Sequence, residues 1–369
     1  MLSFDEITKK ADRIVTLNGR VSKKITFAVL VMVASWLFYL HDRPQLSALD
    51  TVTPQQFLAE VAHSTGSGQA AELSLITQPD DGVGSIKFAI EHAARSVDLV
   101  IYELQDSQIE QALVDAHNRG VKVRVILQNV NTFGHKPNEG AYAFLQGNGV
   151  PIRWAGKQFF LTHQKTLIVD GAAAFIMTFN LMSKYYETSR DFGIITTNHK
   201  DIAAIQEVFD ADWAGKGVVP SRANGLVWSP GSAPTLLSLI DYATASLDVY
   251  SLEMDEPRIT RALGQAAERG VNVRIIMTYQ SDWKPELGEL TKKGALVRTY
   301  ASSAGLFIHA KMMLADMTLA FIGSENFSAA SLNDNRELGM MVSSPEIIYS
   351  LAATFNADWD DARPYAIKE

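Results

Sequence analysis

The chain has no cysteine. Disulfides, thiolate metal sites and cysteine nucleophiles are thereby excluded. The compartment stays open, because a cysteine-free chain can work on either side of a membrane. The chain is also short of positive charge: 33 Lys and Arg face 41 Asp and Glu, for a net charge of −8. That disfavours a dedicated nucleic-acid binder, which presents a basic face, without excluding a locally basic cleft. No compact His/Asp/Glu cluster with metal-ligand spacing is present, so the sequence calls for neither a metal nor a cofactor. What it does have is length and core: 369 residues, 47% of them hydrophobic, suffice for two domains.

One apolar run stands apart. Residues 25–40 (ITFAVLVMVASWLFYL) carry no charge, with Lys23 and Lys24 before them and His41, Asp42, Arg43 and Pro44 after. The run is slightly short of the roughly twenty residues of a spanning helix. Flanking lysines can snorkel, and Trp36 and Tyr39 suit a membrane interface. We expect a single-pass transmembrane signal anchor over 25–41. A cleaved signal peptide is the alternative; the long charged region and the lack of an Ala-x-Ala site count against it. A buried soluble helix fits least, because the run is apolar all round. Residues 1–24 hold six basic and three acidic side chains, so this tail is +3 and the remainder −11. The positive-inside rule then puts the basic tail in the cytoplasm and the large domain outside the cytoplasmic membrane, in a periplasmic setting. Phe4, Ile7, Ala11, Ile14 and Val15 fit an amphipathic surface helix or an ordinary solvated tail equally well.

Beyond a linker at 42–75, the chain repeats itself. SVDLVIYELQDSQIEQALVDAHNRGVKVRVIL from Ser96 matches SLDVYSLEMDEPRITRALGQAAERGVNVRIIM from Ser246 at an offset of 150. Each reads as strand, turn, helix, terminating glycine and second apolar strand. HQKTLIVDGAAAFIMTFN from His163 matches HAKMMLADMTLAFIGSEN from His309 at an offset of 146, and SRDFG at Ser189 matches NRELG at Asn335. The expected fold is two homologous α/β/α sandwich halves with mixed, largely parallel sheets, related by a pseudo-twofold. The halves occupy 76–220 and 221–365 and meet near a Gly/Pro/Ser-rich join at 215–235.

The second repeat carries chemistry. Residues i and i+2 of a strand share a face, so His163 and Lys165 enter one cavity, as do His309 and Lys311. Asp170 and Asp316 follow each lysine by five residues, and Asn180 and Asn326 come ten residues later. Lysine and asparagine donors stabilise phosphoryl oxygens. One imidazole can attack phosphorus while the other protonates the leaving alkoxide and then activates water or an alcohol. Asp170 and Asp316 end apolar strands and read as turn residues. Arg190 and Arg336 suit either phosphate contact or ion pairing. Glu103 and Glu253 either reach the cleft or mark a packing position. Phe159, Phe160, Leu161, Leu306, Phe307 and Ile308 serve either strand core or acyl contact.

The spacing H-x-K-x4-D-x6-G-S-x-N is similar to the signature of the phospholipase D superfamily. His309 to Asn326 matches it throughout; His163 to Asn180 has Met177-Thr178 where the family has Gly-Ser, a departure that bears on pocket width on that side. The resemblance covers roughly residues 75–365. It implies an acidic partner for each histidine, here Asp191 and Glu337, each 28 residues after its own motif histidine. It further implies Thr178 and Ser324 as supporting hydroxyls, His163 as nucleophile forming a phosphohistidine, and His309 as general acid and base. Relatives cleave or transfer phosphatidyl groups or cut nucleic acid. The expected anchor and the acidic exterior favour a phospholipid substrate acted on by a hydrolase or phosphatidyltransferase. A membrane-tethered nuclease and a catalytically silent lipid-binding scaffold are the alternatives.

Overall fold

Each copy of the first repeat folds as a strand, a helix and a second, parallel strand. The computed structural model describes Thr53, Gln56 and residues 73–222, 225–302 and 305–366. The basic tail, the apolar run at 25–40 and nearly all of the linker lie outside the described residues. Among the described residues, no helix is long and apolar enough to cross a membrane.

The first half runs β1 (Leu73–Gln78), α1 (Gly84–Glu91), β2 (Ser96–Ile101), β3 (Leu104–Gln105), α2 (Ser107–Asn118), β4 (Lys122–Leu127), α3 (Glu139–Gly147), β5 (Ile152–Trp154), β6 (Thr166–Val169), β7 (Ala173–Met177), β8 (Leu181–Met182), β9 (Ser189–Thr196) and α4 (His199–Ala214). The second runs β10 (Leu226–Ser229), α5 (Ala233–Tyr242), β11 (Ser246–Tyr250), α6 (Pro257–Glu268), β12 (Asn272–Thr278), α7 (Lys284–Lys292), β13 (Leu296–Tyr300), β14 (Phe307–Ile308), β15 (Met312–Ala315), β16 (Leu319–Gly323), α8 (Ala329–Asn333), β17 (Glu337–Val342), α9 (Pro345–Asp361) and β18 (Arg363–Pro364). The sheet orders are β1-β9-β7-β6-β2-β4-β5, with β14 added on β9, and β10-β17-β16-β15-β11-β12-β13-β18.

The sheets are mixed, but the expectation that they are largely parallel is corrected. Within the two large sheets, among the described residues, only the helical crossovers β2–β4–β5 and β11–β12–β13 and the short β14–β9 contact pair in parallel; β3 and β8 form a separate two-stranded parallel pair. The motif strands β6 and β15 instead lie antiparallel to β2 and β11 and turn back as hairpins into β7 and β16. A short turn at Asp170 and Gly171, or at Asp316 and Met317, all with positive φ, can only join antiparallel neighbours. Asp170 and Asp316 are the turn braces expected of them. The Asp170 carboxylate accepts from the backbone N–H of Ala94, Arg95 and Ser96, and Asp316 does the same for Thr244, Ala245 and Ser246. Each aspartate ties its hairpin to the start of the first repeat strand.

Alternation along the strands divides the apolar residues among three cores. Val97, Leu99 and Ile101 of β2 pack on one face with α1, α2 and α3. Val273, Ile275 and Met277 of β12 do so with α5, α6 and α7. The opposite faces of both sheets share a third core, through Val100, Ile168, Ile276 and Leu314, with Ile205 of α4 and Phe355 of α9. The halves are therefore one hydrophobic unit, not two cores in contact.

Polar locks reinforce the shared core, and they cross between halves. Arg190 of β9 pairs with Asp358 of α9 at 2.6 and 2.9 Å, and the Tyr250 hydroxyl donates to the same carboxylate at 2.5 Å. Arg336 pairs with Asp212 of α4 at 2.9 and 3.0 Å, its guanidinium 4.1 Å from the Phe159 ring centroid. Both arginines are buried ion-pair residues, which settles the choice between phosphate contact and pairing. Removing one partner of a buried pair strands the other charge, at a cost of about 3–5 kcal/mol. Asp358→Ala is expected to lose that much in urea unfolding. An Arg190→Met/Tyr250→Phe/Asp358→Leu variant, which leaves no buried charge unpaired, is expected to regain most of it.

Candidate active site

Two short segments carry the histidines, and each is stitched to the other half. His163 and Gln164 donate their backbone N–H groups to the Arg336 carbonyl, both at 2.9 Å, and Thr162 bridges Arg336. His309 and Ala310 donate to the Arg190 carbonyl at 3.2 and 2.9 Å, while β14 pairs with the start of β9. The residue after Arg190 is Asp191, and the residue after Arg336 is Glu337. The stitching thus delivers each acid to the opposite histidine. His163 Nδ1 lies 2.8 and 3.0 Å from the Glu337 carboxylate oxygens, and His309 Nδ1 lies 2.8 Å from Asp191 Oδ1. The acids are the expected ones, but the grouping is corrected. Asp191 serves His309 and Glu337 serves His163, because the backbone pairing that places them runs between halves.

Thr178 and Ser324 hold the acids from behind. Thr178 Oγ1 donates to Asp191 at 2.6 Å and accepts from Phe192 N; Ser324 Oγ donates to Glu337 at 2.6 Å and accepts from Leu338 N. The Met177 departure has no bearing on pocket width: Met177 is fully buried in the outer core of its half. On the other side Gly323 is required. A Cβ there would meet Glu325 Oε2 at 2.2 Å and the Gly339 Cα at 2.5 Å.

Lys165 and Lys311 are buried beneath the histidines. Lys165 Nζ donates to the His163 carbonyl and lies 5.1 Å from the Tyr102 ring centroid. Lys311 Nζ donates to the His309 carbonyl at 2.6 Å and to the Thr178 carbonyl of the other half at 3.4 Å. Asn180 accepts the Glu103 N–H at 3.2 Å, and Asn326 has a buried side-chain oxygen with no partner. His163, His309, Asn180, Asn326, Asp191, Glu103 and Glu253 all line one cavity of about 800 Å³. Of the apolar residues weighed for acyl contact, Phe160, Leu161 and Phe307 line this cavity, whereas Ile308 is core and Phe159 lies under Arg336.

Burial governs the electrostatics. It drives the His163 pKa down to about 4 against the opposing pull of Glu337, so the ring is neutral at pH 7. His309 is lowered for the same reason, against Asp191. Burial lowers Lys165 to about 7 and Lys311 to about 8. Burial pushes Glu337 up, but the neighbouring His163 and Lys165 and the Ser324 hydrogen bond outweigh it and leave the carboxyl below its usual range. With Nδ1–H donating to a carboxylate, each imidazole keeps Nε2 for chemistry, and Lys311 Nζ lies 3.3 Å from that atom of His309.

Sequence reasoning missed four contributors. Tyr102 meets the His163 ring edge-on at 4.5 Å. Ser331 Oγ and Asn335 Nδ2 donate to Glu337 at 2.6 and 3.2 Å. Glu325 is fully buried with no side-chain partner, and burial next to Glu337 holds its carboxyl well above the usual range, as the neutral acid. All four face a different residue type in the repeat: Leu252 for Tyr102, Tyr185 for Ser331, Phe179 for Glu325 and Ser189 for Asn335. Asn335 alone stands within the matched SRDFG and NRELG segments, the one signal in sequence that could have drawn attention to it.

Paired imidazoles, each backed by a carboxylate and flanked by lysine and asparagine, in one cleft on a duplicated α/β fold, define an enzyme of the phospholipase D type, acting on phosphodiester bonds. A family model described as the PLD-like domain of cardiolipin synthase matches residues 86–213 and again 236–359, and the chain belongs to that family. It is 24% identical to cardiolipin synthase 1 of Bacillus cereus, over 82% of this chain and 70% of that one. It is 25% identical to a cardiolipin synthase of a Geobacillus strain, over 84% and 71%. Its fold is similar to that of phosphatidylserine synthase from Haemophilus influenzae, with a TM-score of 0.65 at 10% identity over 85% of this chain and 92% of that one. Polyphosphate kinase from Porphyromonas gingivalis is also similar in fold, with a TM-score of 0.63 at 16% identity; 86% of this chain covers 52% of that kinase.

The free-enzyme pH profile follows from the two rings. One must be neutral to attack, and the other must carry a proton to release the leaving group. kcat/KM reports both on free enzyme. For a soluble phosphodiester it is expected to rise through pH 4 as His163 loses its proton. It is expected to fall again below the ordinary imidazole pKa as His309 loses its own. Asp191→Asn removes the charge that opposes burial at His309 and is expected to move the descending limb to lower pH.

Proposed function

We propose that this protein is a phosphatidyltransferase that moves the phosphatidyl group of a glycerophospholipid through a phosphohistidine on His163. The observation that carries this reading is the exchanged pair of carboxylate-backed imidazoles on one cleft. In the first step His163 Nε2 attacks phosphorus, the P–O bond to the head-group alcohol breaks, and His309 Nε2–H gives its proton to the departing oxygen. In the second, an acceptor hydroxyl gives its proton to His309 Nε2, its oxygen attacks phosphorus, and the P–N bond breaks. Lys165, Lys311, Asn180 and Asn326 balance the phosphoryl charge in both transition states. The incoming phosphodiester adds negative charge beside His309 and so favours its protonated form.

Water and alcohols compete for the same intermediate, so hydrolysis and transfer are two outcomes of one site. The names of the cardiolipin synthase relatives support an alcohol acceptor carried on lipid. The apolar run at 25–40 and its charged flanks support a single-pass anchor, with the catalytic unit on the extracytoplasmic face of the membrane.

The test is mass spectrometry of lipids after incubation with phosphatidylglycerol and phosphatidylethanolamine, with and without glycerol. Cardiolipin or an exchanged head group is the expected product; phosphatidic acid alone would make the enzyme a hydrolase. His163→Ala and His309→Ala are each expected to reduce turnover by at least about 10³-fold, as loss of a nucleophile or general acid does. Cleavage of single-stranded DNA without lipid turnover would overturn the reading.

A further inference from the structure

The first-half wall of the cleft mouth carries three aromatic side chains that the fold leaves in water. Phe133 is 81% exposed, Phe160 58% and Tyr185 47%, and all three line the same cavity as the two histidines. They come from three separate segments, and each segment is braced. Phe133 sits at the tip of a tight loop. The Asn131 side-chain oxygen accepts from the N–H groups of Phe133 and His135, the Asn131 N–H donates to the His135 carbonyl, and Gly134 takes a φ of 77°. The loop is tied inward as well: Thr132 N donates at 2.9 Å to the hydroxyl of Tyr102, whose ring touches His163. Phe160 donates its backbone N–H to the Asp334 carbonyl of the other half. Tyr185 ends the single helical turn Ser183–Tyr185, with Lys184 Nζ 4.6 Å from its ring centroid. An aromatic ring held out of the core by a rigid loop has an apolar surface with no partner in the folded chain. Here three exposed rings line one wall of a single opening.

We propose that this rim is a membrane-docking surface, on which Phe133, Phe160 and Tyr185 enter the head-group layer of a phospholipid bilayer and bring a phosphodiester to the cleft. The proposal rests on the phospholipid reading above. Aromatic rings suit the boundary between head groups and acyl chains. A lipid cannot otherwise present its phosphorus to a buried pair of imidazoles without leaving the bilayer. The charge around the rim is nearly balanced. His135, Lys136, Lys157 and Lys184 lie on these segments with Glu139 and Glu187, Lys136 and Glu139 form an ion pair, and Asp282 lines the opposite wall. The attraction is therefore apolar in origin and little affected by salt. A polynucleotide stacking on the same rings would depend steeply on salt.

The absence of cysteine makes the test direct. Phe133→Cys in the full chain, labelled with an environment-sensitive fluorophore, is reconstituted into vesicles of phosphatidylglycerol and phosphatidylethanolamine. Labels at Phe88→Cys and Tyr349→Cys, exposed positions away from the cleft, serve as references. A blue shift at position 133, quenching by spin-labelled lipid at 133 and not at the references, and little change between 0.05 and 0.5 M salt are expected. In a second arm, Phe133→Ser/Tyr185→Ser is compared with the unmodified chain on bilayer phosphatidylglycerol and on its soluble short-chain form. The ratio of bilayer to soluble turnover is expected to fall on the order of tenfold or more, since each withdrawn ring forfeits the transfer of its apolar surface. A label that stays in water, or an unchanged ratio, overturns the docking surface, as does protection of the label by single-stranded DNA instead of lipid. Failure of the unmodified chain to turn over even the soluble lipid would instead overturn the phospholipid reading, and the label at 133 would still report docking on its own.

Discussion

Everything at the centre of this molecule depends on an exchange of backbone pairing between its two halves. The Arg190 carbonyl receives the segment that begins with His309, and the Arg336 carbonyl receives the segment that begins with His163. Because the next residue along each strand is an acid, the same pairing that joins the halves also orients both imidazoles. The arginine side chains extend the exchange outward, to Asp358 and Asp212 on the opposite final helices. Neither half could hold its histidine by itself. Duplication thus produced one site shared between two copies, with structural and chemical roles carried by neighbouring residues on one strand.

The cost of that arrangement is charge buried at close quarters. Lys165, Lys311 and Glu337 are all fully shielded from solvent, and His163 and Asp191 nearly so. Isolated ions would not tolerate such burial. They tolerate it here because carboxylate, imidazole and ammonium alternate and because Thr178, Ser324, Ser331 and Asn335 supply further donors to the acids. The same burial keeps the His163 ring neutral at ordinary pH. Stability and reactivity draw on one set of contacts.

The halves are not equivalent. Glu337 accepts from two hydroxyls and an amide besides His163, whereas Thr178 is the hydroxyl donor to Asp191 beside His309. Glu325 fills the space that Gly323 and Gly339 leave open, while the first half closes the matching space with Met177 and Phe179 in an apolar core. The exposed aromatic rings belong to the first-half wall of the cleft mouth. A symmetric scaffold thus presents two different faces to a substrate whose two ends also differ.

The repeat at offsets of 150 and 146 was enough to announce two α/β halves, and the spacing of His, Lys, Asn and acid was enough to name the repeated groups now found around the cleft. Those features are legible because strand alternation and short-range spacing act locally, within a few residues. Sheet direction was misjudged because the apolar runs of β6 and β15 look alike whether their neighbours are parallel or antiparallel, and the turn that follows decides. The allocation of Asp191 and Glu337 to opposite histidines could not be read at all: 28 residues of sequence separation say nothing about which half a strand will pair with. Tyr102, Ser331 and Glu325 stayed hidden because the comparison of copies highlights what the halves share, and these are the places where they differ. The sequence by itself determined the repeated His, Lys, Asn and acidic side chains that meet at the cleft; only tertiary structure decided which acid serves which histidine, because that choice is made by backbone hydrogen bonds between segments more than a hundred residues apart.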